Sequence, residues 1–233
     1  MNDDDSAKRA AGYAAVDRYV TDDACIGLGT GTTAYWAVER VARRIANGER
    51  IAAVATSTAT EALCRKWNIP VLTLLERPMT VAIDGADEVA ADWSLTKGGG
   101  GALFREKAVA LSAQQFVVIV TGRKLVEKLG EFPLPVEIVP YAAPYVQREI
   151  SRAFSDLTIV RRGTEDVPYV TDNANWIFDC HFGSIQDPRA VDETLRGIHG
   201  VVATGIFSGI ATDVIVGEAS GTARSLSHRD VSS

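Results

Sequence analysis

Residues 25–34 read Cys-Ile-Gly-Leu-Gly-Thr-Gly-Thr-Thr-Ala, a short apolar run that gives way to glycines and threonines. The apolar run predicts a buried strand, and the residues from Thr33 to Asn47 predict a helix with Gly48 just past its end. Backbone N–H groups in a turn between a strand and a helix can hold a phosphate or a carboxylate, helped by the helix dipole. The stretch therefore predicts a strand–turn–helix unit whose turn is either an anion site or only a tight connection.

Apolar runs and helical patterns alternate through the first half of the chain. After a first helix that ends near Val20, the further predicted strands are 51–55, 71–74, 80–83 and 115–120, and the further helices are 58–67 and 102–113. Such alternation is typical of an α/β fold with a Rossmann-like, mostly parallel sheet and helices on both faces. Ligands bind these sheets beyond the carboxyl ends of the strands, where several of the predicted loops meet.

The pattern changes near residues 132–135, where two prolines exclude a continuous helix. The elements predicted after this point are strand 136–139, helix 145–154, strand 158–161, a hairpin of 169–171 with 176–179, helix 188–198 and strand 201–207. They predict a smaller α+β (ferredoxin-like) domain at 131–205, which we expect to serve as an oligomer contact and a lid. The apolar strand 213–217 is expected to return to the first sheet, so that 1–130 and 206–233 form a catalytic domain.

The composition is that of an ordinary globular protein, with 46% hydrophobic and 23% charged residues among 233. A net charge of −6 without any basic block argues against a nucleic-acid partner. The chain lacks the run of about 18 apolar residues that a membrane helix needs, and its acidic start does not resemble a signal peptide. Three widely spaced cysteines predict reduced thiols in a cytoplasmic protein, and the three histidines lack metal-ligand spacing.

Four consecutive glycines, 98–101, lie between Lys97 and a predicted helix that carries Glu106. Glycines lose much backbone freedom on folding, so such a run indicates a turn that approaches a small molecule closely. Lys97 could hold a developing oxyanion or a substrate hydroxyl. Glu106 could act as a base, or it could be a solvated helix carboxylate, which is the usual environment of glutamate.

Asp84 and Asp87 flank a Gly-Ala pair in a predicted turn, which can aim both carboxylates at one point. Asp87 could instead only cap a helix, and a Mg²⁺ site is disfavoured because no further ligand lies at a suitable spacing. A dinucleotide site at Gly27–Ala34 is also disfavoured, because Thr56-Ser57-Thr58 stands where an acidic residue is expected. This hydroxyl cluster suits another small polar ligand.

Four segments, Gly27–Ala34, Asp84–Glu88, Lys97–Lys107 and Phe132–Glu137, resemble the signature segments of type A ribose-5-phosphate isomerases. The resemblance runs in order from about residue 7 to residue 217. It implies interconversion of D-ribose 5-phosphate and D-ribulose 5-phosphate by proton transfer through a cis-enediolate. It also implies a sugar phosphate as the ligand, no metal, no cofactor, no membrane partner, and a homodimer or homotetramer.

The resemblance assigns catalytic roles to Glu106, as proton acceptor, and to Asp84, Asp87 and Lys97. The substrate-binding residues that it implies are Thr30, Gly31, Thr32, Thr33, Asp84, Gly85, Ala86, Asp87, Lys97, Gly98, Gly99, Gly100 and Lys124. Lys124 departs from the pattern, because Thr121-Gly122-Arg123-Lys124 replaces an acidic-x-Ser-Lys segment. The phosphate is expected mainly at the Thr30–Thr33 loop, which leaves the glycine run nearer to the proton transfer.

Two other classes of protein share the implied fold and stay open at this point. A sugar-phosphate-binding regulator would share the loops but normally carries a DNA-binding helical domain, and this chain has no basic N-terminal extension of that size. A CoA transferase would use a glutamate as nucleophile and is usually longer or made of two chains.

Overall fold

The computed structural model describes residues 2–226, which form two compact units. Of the described residues, unit 1 contains 2–86, 105–125 and 210–226, and unit 2 contains 87–104 and 126–209. Segment 87–104 therefore lies in unit 2, in addition to the range 131–205 that the sequence pattern delimits. Met1 and residues 227–233, which the sequence assigns to the catalytic domain, lie outside the described residues.

Thirteen strands and six helices make up the described part of the chain. The strands are β1 Cys25–Leu28, β2 Ala52–Ala55, β3 Met79–Asp84, β4 Glu88–Val89, β5 Leu95–Thr96, β6 Ala113–Thr121, β7 Leu134–Ile138, β8 Thr158–Arg161, β9 Trp176–His181, β10 Val201–Thr204, β11 Ile206–Phe207, β12 Asp213–Gly217 and β13 Ala223–Leu226. The helices are α1 Asp3–Tyr19, α2 Ala34–Ala46, α3 Thr58–Lys66, α4 Leu103–Ser112, α5 Ala143–Ala153 and α6 Pro188–Arg196. Within residues 2–226, no helix is long and apolar enough to cross a membrane.

Unit 1 is built on a six-stranded sheet with the strand order β13-β12-β6-β3-β1-β2. The strands from β12 to β2 run parallel, and β13 runs antiparallel to β12. Helices α1, α2 and α3 contact this sheet, and the core that they share includes Ile26, Val81 and Val117. Parallel strands covered by helices have continuous apolar sequences, which explains why the pattern was recognisable. The predicted parallel sheet is confirmed, including the return of residues 213–217 beside β6.

Unit 2 contains a four-stranded antiparallel sheet with the order β10-β7-β9-β8. Its elements follow one another as β7-α5-β8-β9-α6-β10, and with this strand order they form the predicted ferredoxin-like arrangement. Its core includes Leu134, Val136, Ile150 and Leu195. A second, three-stranded sheet joins β11, β5 and β4, each of which is two residues long. The sequence indicated neither β4 nor β5, and the predicted strand 201–207 is divided into β10 and β11, which belong to different sheets.

The predicted hairpin of 169–171 with 176–179 is wrong. Strand β9 pairs with β7 and β8, whereas residues 171–175 form a local turn in which the Thr171 N–H donates to the Asn175 carbonyl at 2.9 Å. The buried Glu137 carboxylate on β7 holds this turn, because its Oε1 accepts from the side chains of Thr171, Asn173 and Asn175 at 2.9, 3.2 and 2.9 Å. The conformation of residues 171–175 is therefore set by Glu137, which is distant in sequence, although the local pattern favoured a strand.

The predicted strand 71–74 is also wrong, because Val71 makes only an isolated bridge to Ala53. The Glu76 carboxylate accepts the N–H of Thr73 at 2.9 Å and its hydroxyl at 3.0 Å, which forms a turn at the place of the expected strand end. Both hydrogen bonds hold the pKa of Glu76 below its usual value, and the bond from the Thr73 backbone has the larger effect. The apolar residues 71–74 therefore do not form a strand of the unit 1 sheet.

Glu88 at the start of β4 is buried, and its carboxylate joins three segments of unit 2. Oε2 accepts the Thr96 hydroxyl at 2.7 Å and the Gly130 N–H at 3.0 Å, and Oε1 accepts the Phe132 N–H at 2.7 Å. These bonds fix the backbone that leads into β7. Glu88 therefore stabilises unit 2, although the sequence places it beside the candidate carboxylates.

Replacing Glu88 by Gln tests this role. The amide keeps the shape of the carboxylate but loses its charge and turns an NH₂ group towards the donors, so we expect a loss of about 2–3 kcal/mol in the free energy of unfolding. Urea unfolding of Glu88→Gln measures it, with the exposed Glu131→Gln as the control. Equal stability of the two variants would contradict the assignment.

Candidate active site

Asp84 ties together two loops of unit 1 at the end of β3. Its Oδ1 accepts the Thr30 N–H at 3.2 Å and the Gly85 N–H at 2.7 Å, and the residue is only 3% exposed. A Cβ at Gly29 would lie 1.9 Å from Asp84 Oδ1, so the loop after β1 needs a glycine there for this close approach. The structure therefore brings Asp84 and Gly85 together with the predicted threonine loop.

The Thr30 hydroxyl lies in a cluster of four hydroxyls within unit 1. Thr30 Oγ1 is 2.8 Å from Thr56 Oγ1, 2.7 Å from Ser57 Oγ and 3.0 Å from Thr60 Oγ1. Thr60 Oγ1 in turn donates to the Gly29 carbonyl at 2.9 Å. Thr56 and Ser57, which the sequence suggested as ligand groups, are buried in this cluster and hold the loop.

Gly31, Thr32 and Thr33 are the part of this loop that reaches the surface of unit 1. Gly31 and Thr32 are exposed and Thr33 is partly exposed, immediately before α2 begins at Ala34. The first N–H groups of an α-helix have no acceptor within the helix, and the helix dipole makes this end positive. Backbone atoms at this turn are therefore suited to an anion.

Parallel strand register brings further predicted residues to the same edge of the unit 1 sheet. Strand β6 ends at Thr121, opposite Gly217, and a 3₁₀ turn then carries the partly exposed Lys124. A Cβ at Gly85 would lie 4.0 Å from Thr33 Cβ, which shows that the loops after β1 and β3 are neighbours. Lys124 thus follows a strand end at the edge where these loops lie.

Glu106 lies in the first turn of α4 and is only 4% exposed. It is therefore not the solvated helix carboxylate that the sequence left open. Helix α4 packs closely on the sheet, because a Cβ at Gly27 of β1 would lie 2.4 Å from Val109 Cγ1. A buried carboxylate on a well-packed helix has the restricted position that a proton-transferring group needs.

The glycine turn, Lys97–Gly101, lies in unit 2. The Gly101 N–H donates to the Gly98 carbonyl at 2.9 Å, and Gly98 and Gly101 have φ angles of +98° and +81°. Both angles fall in the left-handed region, which glycine adopts without strain. A Cβ at Gly101 would also lie 2.2 Å from Tyr169 Oη, so backbone geometry and space both require glycine.

Asp87 and Lys97 are held at this turn by backbone contacts. Asp87 Oδ2 accepts the Gly99 N–H at 2.7 Å, and the Asp87 N–H donates to the Thr96 carbonyl at 2.8 Å. Lys97 is 2% exposed, its N–H donates to the Gly205 carbonyl at 2.8 Å, and its Nζ lies 5.5 Å from the ring centroid of Phe207. The structure thus brings Asp87, Lys97 and the glycines together within unit 2.

Sequence reasoning missed two residues that hold these loops, Thr60 and Arg162. Arg162 Nη1 donates to the carbonyls of Gly98 and Gly99 at 2.9 and 3.2 Å. Thr60 lies four residues after Thr56 and could have been included in the hydroxyl cluster. Arg162 gave no local signal, because it reaches the glycine turn across more than sixty residues of sequence.

The cysteines do not supply a nucleophile. Cys25, Cys64 and Cys180 are free and buried. Burial raises the pKa of Cys64 to about 11 and that of Cys180 to about 12, so both remain thiols near neutral pH. Within residues 2–226, no group of three or more His, Cys, Asp or Glu side chains is arranged to hold a metal ion.

Known proteins share both the sequence and the structure of this chain. A family model described as ribose 5-phosphate isomerase A (phosphoriboisomerase A) matches residues 52–221. Ribose-5-phosphate isomerase A of Bartonella quintana is 41% identical over 235 residues, which cover 99% of this chain and 100% of that protein.

Two solved structures extend the similarity to three dimensions. Ribose 5-phosphate isomerase A of Methanocaldococcus jannaschii superposes with a TM-score of 0.89 at 36% identity, covering 96% of this chain and 99% of that one. A D-ribose-5-phosphate isomerase in complex with phospho-erythronic acid superposes with a TM-score of 0.90 at 34% identity, covering 97% and 99%. Since the family model covers more than half of the chain and the Bartonella quintana protein is 41% identical over 99% of it, this chain belongs to the ribose 5-phosphate isomerase A family.

Proposed function

We propose that this chain is an isomerase that interconverts D-ribose 5-phosphate and D-ribulose 5-phosphate. The observation that carries the proposal is the family match over nearly the whole chain. A relative of similar structure that is named for this activity binds phospho-erythronic acid, a phosphorylated sugar acid. The regulator and CoA transferase alternatives have no comparable support, because the named relatives are isomerases.

Glu106 is the base of the proposed reaction. It removes the proton from C2 of the open-chain aldose and returns it to C1, with a cis-enediolate between the two steps. A positioned base of this kind contributes about 10²–10⁴-fold to the rate. The burial of Glu106 in the first turn of α4 supports this role, because it limits competing solvent contacts and fixes the carboxylate.

Lys97, Asp84 and Asp87 complete the proposed catalytic set. Lys97 stabilises the enediolate oxygen, whose negative charge develops only along the reaction. Asp84 and Asp87 assist ring opening and the movement of the proton between O1 and O2. The backbone hydrogen bonds to Asp84 Oδ1 and Asp87 Oδ2 support these roles, because they restrict the rotation of both carboxylates.

The phosphate group is proposed to bind at the loop before α2. Gly31, Thr32 and Thr33 supply backbone and hydroxyl donors at the positive end of this helix, and Lys124 adds a cation. The Thr30 hydroxyl lies in the hydroxyl cluster and its N–H donates to Asp84 Oδ1, so Thr30 contributes to the phosphate site by fixing the loop. Gly85, Ala86, Gly98, Gly99 and Gly100 contact the sugar end of the substrate in this proposal.

The wider properties implied by the family are part of the same proposal. The enzyme is cytoplasmic, binds neither nucleic acid nor membrane, and needs no metal or cofactor. It forms a homodimer or homotetramer through the small domain, which also serves as a lid. Three large apolar side chains of unit 2 are exposed to solvent in the single chain, which supports an oligomer contact there. They are Tyr141, Tyr145 and Val160.

Replacing Glu106 by Gln tests the assigned base. We expect kcat for ribose 5-phosphate to fall at least about 100-fold with little change in KM, because the amide cannot accept the proton. The assay compares wild type, Glu106→Gln and the exposed control Glu127→Gln, without added metal and in EDTA. Undiminished activity of Glu106→Gln would overturn the role, and activity that EDTA abolishes would favour a metal at Asp84 and Asp87.

Replacing Lys124 by Met tests the position of the phosphate. We expect binding of phospho-erythronic acid to weaken by about 10- to 100-fold, because a charged hydrogen bond contributes about 1.5–3 kcal/mol. Binding of erythronic acid, which lacks the phosphate, should change little. Calorimetry on Lys124→Met and on the exposed control Lys128→Met measures both ligands, and an equal loss for both ligands would remove Lys124 from the phosphate site.

A further inference from the structure

Three consecutive carbonyls of the glycine turn are bound by side chains of unit 2. Arg162 Nη1 donates to the carbonyls of Gly98 and Gly99 at 2.9 and 3.2 Å. Tyr169 Oη donates to the carbonyl of Gly100 at 3.2 Å. Glycines have no side chains of their own to fix their peptide planes, and the internal bond from the Gly101 N–H to the Gly98 carbonyl closes the turn without attaching it to its neighbours, so these outside contacts orient the turn within unit 2.

Arg162 is itself held rigidly. Its Nε and Nη2 donate to the two oxygens of Asp179 at 2.9 and 2.5 Å, and both side chains are less than one-fifth exposed. The guanidinium carbon lies 5.8 Å from the ring centroid of Tyr169. A planar guanidinium can hold a carboxylate with one edge while its remaining N–H groups bind carbonyls, an arrangement that lysine does not reproduce.

A single peptide group connects Arg162 to Asp87. The carbonyl of the Gly98–Gly99 peptide accepts from Arg162, and the N–H of the same peptide donates to Asp87 Oδ2 at 2.7 Å. A trans peptide is planar, and its C=O and N–H point in opposite directions, so fixing one end fixes the other. A cation on the carbonyl also polarises the peptide and strengthens the N–H as a donor.

We propose that Arg162 is a positioning residue that orients Asp87 through the Gly98–Gly99 peptide, with Tyr169 supporting the same turn. The inference rests on the proposed isomerase, because it gives Asp87 a catalytic role. It adds a residue more than sixty positions from the glycine turn, on the segment that follows β8. The competing explanation is that the Arg162–Asp179 pair only stabilises unit 2.

The first test compares Arg162→Met and Arg162→Lys with the control Arg161→Met. Arg161 precedes Arg162 directly but donates to the carbonyl of Thr164, away from the glycine turn. We expect kcat to fall about 10- to 100-fold in Arg162→Met, since small misplacements of catalytic groups cost this much, with partial recovery in Arg162→Lys. Arg161→Met should keep the wild-type kcat. A kcat for Arg162→Met within twofold of wild type would overturn the proposal.

A double-mutant cycle with Asp87→Asn separates positioning from stability. If Arg162 acts through Asp87, Arg162→Met lowers kcat less than about twofold in the Asp87→Asn background, because the interaction is already lost. A purely structural role predicts the same fold loss in both backgrounds and would overturn the proposal. If Arg162→Met does not fold, the cycle combines Asp87→Asn with Tyr169→Phe, which removes only one hydroxyl.

The Gly99 amide proton gives a readout that does not depend on activity. In Arg162→Met and in Asp87→Asn we expect its NMR resonance to move upfield and its hydrogen exchange to accelerate, relative to wild type and Arg161→Met. An unchanged Gly99 resonance in Arg162→Met would overturn the inference even if kcat fell. Absence of ribose 5-phosphate turnover in wild type would instead overturn the proposed function, and the amide measurement would still test the peptide connection.

Discussion

Parallel pairing of the strands in unit 1 is the constraint on which the arrangement of its functional loops depends. Because β1, β2, β3 and β6 run in one direction, the residues that follow them share one edge of the sheet. Hydrogen bonds to Asp84 then link the loops after β1 and β3, and the hydroxyl cluster links the loops after β1 and β2. The sheet sets the approximate positions of these loops, and polar contacts fix their backbones.

In unit 2, contacts from neighbouring residues order a turn that consists mainly of glycines. The turn has almost no side-chain contacts of its own, so its order comes from its neighbours. Asp87 binds an N–H on the turn, Arg162 and Tyr169 bind its carbonyls, and Gly205 accepts the N–H of Lys97. The flexibility that lets the backbone approach a ligand is thereby restricted to one conformation in this structure.

Much of this architecture follows from local sequence. Apolar runs identified the main strands of unit 1, and the two prolines at 132–135 marked the change to the antiparallel unit. The glycine run and the Asp84–Asp87 turn were identifiable because glycine and aspartate in such numbers are costly without a special conformation. The burial of Glu106 was not predictable, since helix position alone does not show which face is covered.

The errors arose where polar side-chain contacts override a local apolar pattern. Glu137 holds residues 171–175 in a turn although it lies more than thirty residues away, and Glu76 holds Thr73 in a turn from three residues away. Arg162 was missed because its contacts, like those of Glu137, join residues far apart in sequence. Such contacts depend on the completed fold, so one sequence without relatives to compare does not reveal them.

The central claim is that this protein moves a proton between C2 and C1 of ribose 5-phosphate by way of an enediolate. The most direct measurement follows ribose 5-phosphate labelled with deuterium at C2 by NMR, in ordinary water, to equilibrium with the wild-type enzyme. We expect formation of ribulose 5-phosphate and progressive loss of the label to water, because the proton held by the carboxyl group of the base exchanges with solvent during the lifetime of the enediolate. Complete retention of the label at C1 after many turnovers, which indicates hydride transfer, or no formation of the ketose, would contradict it.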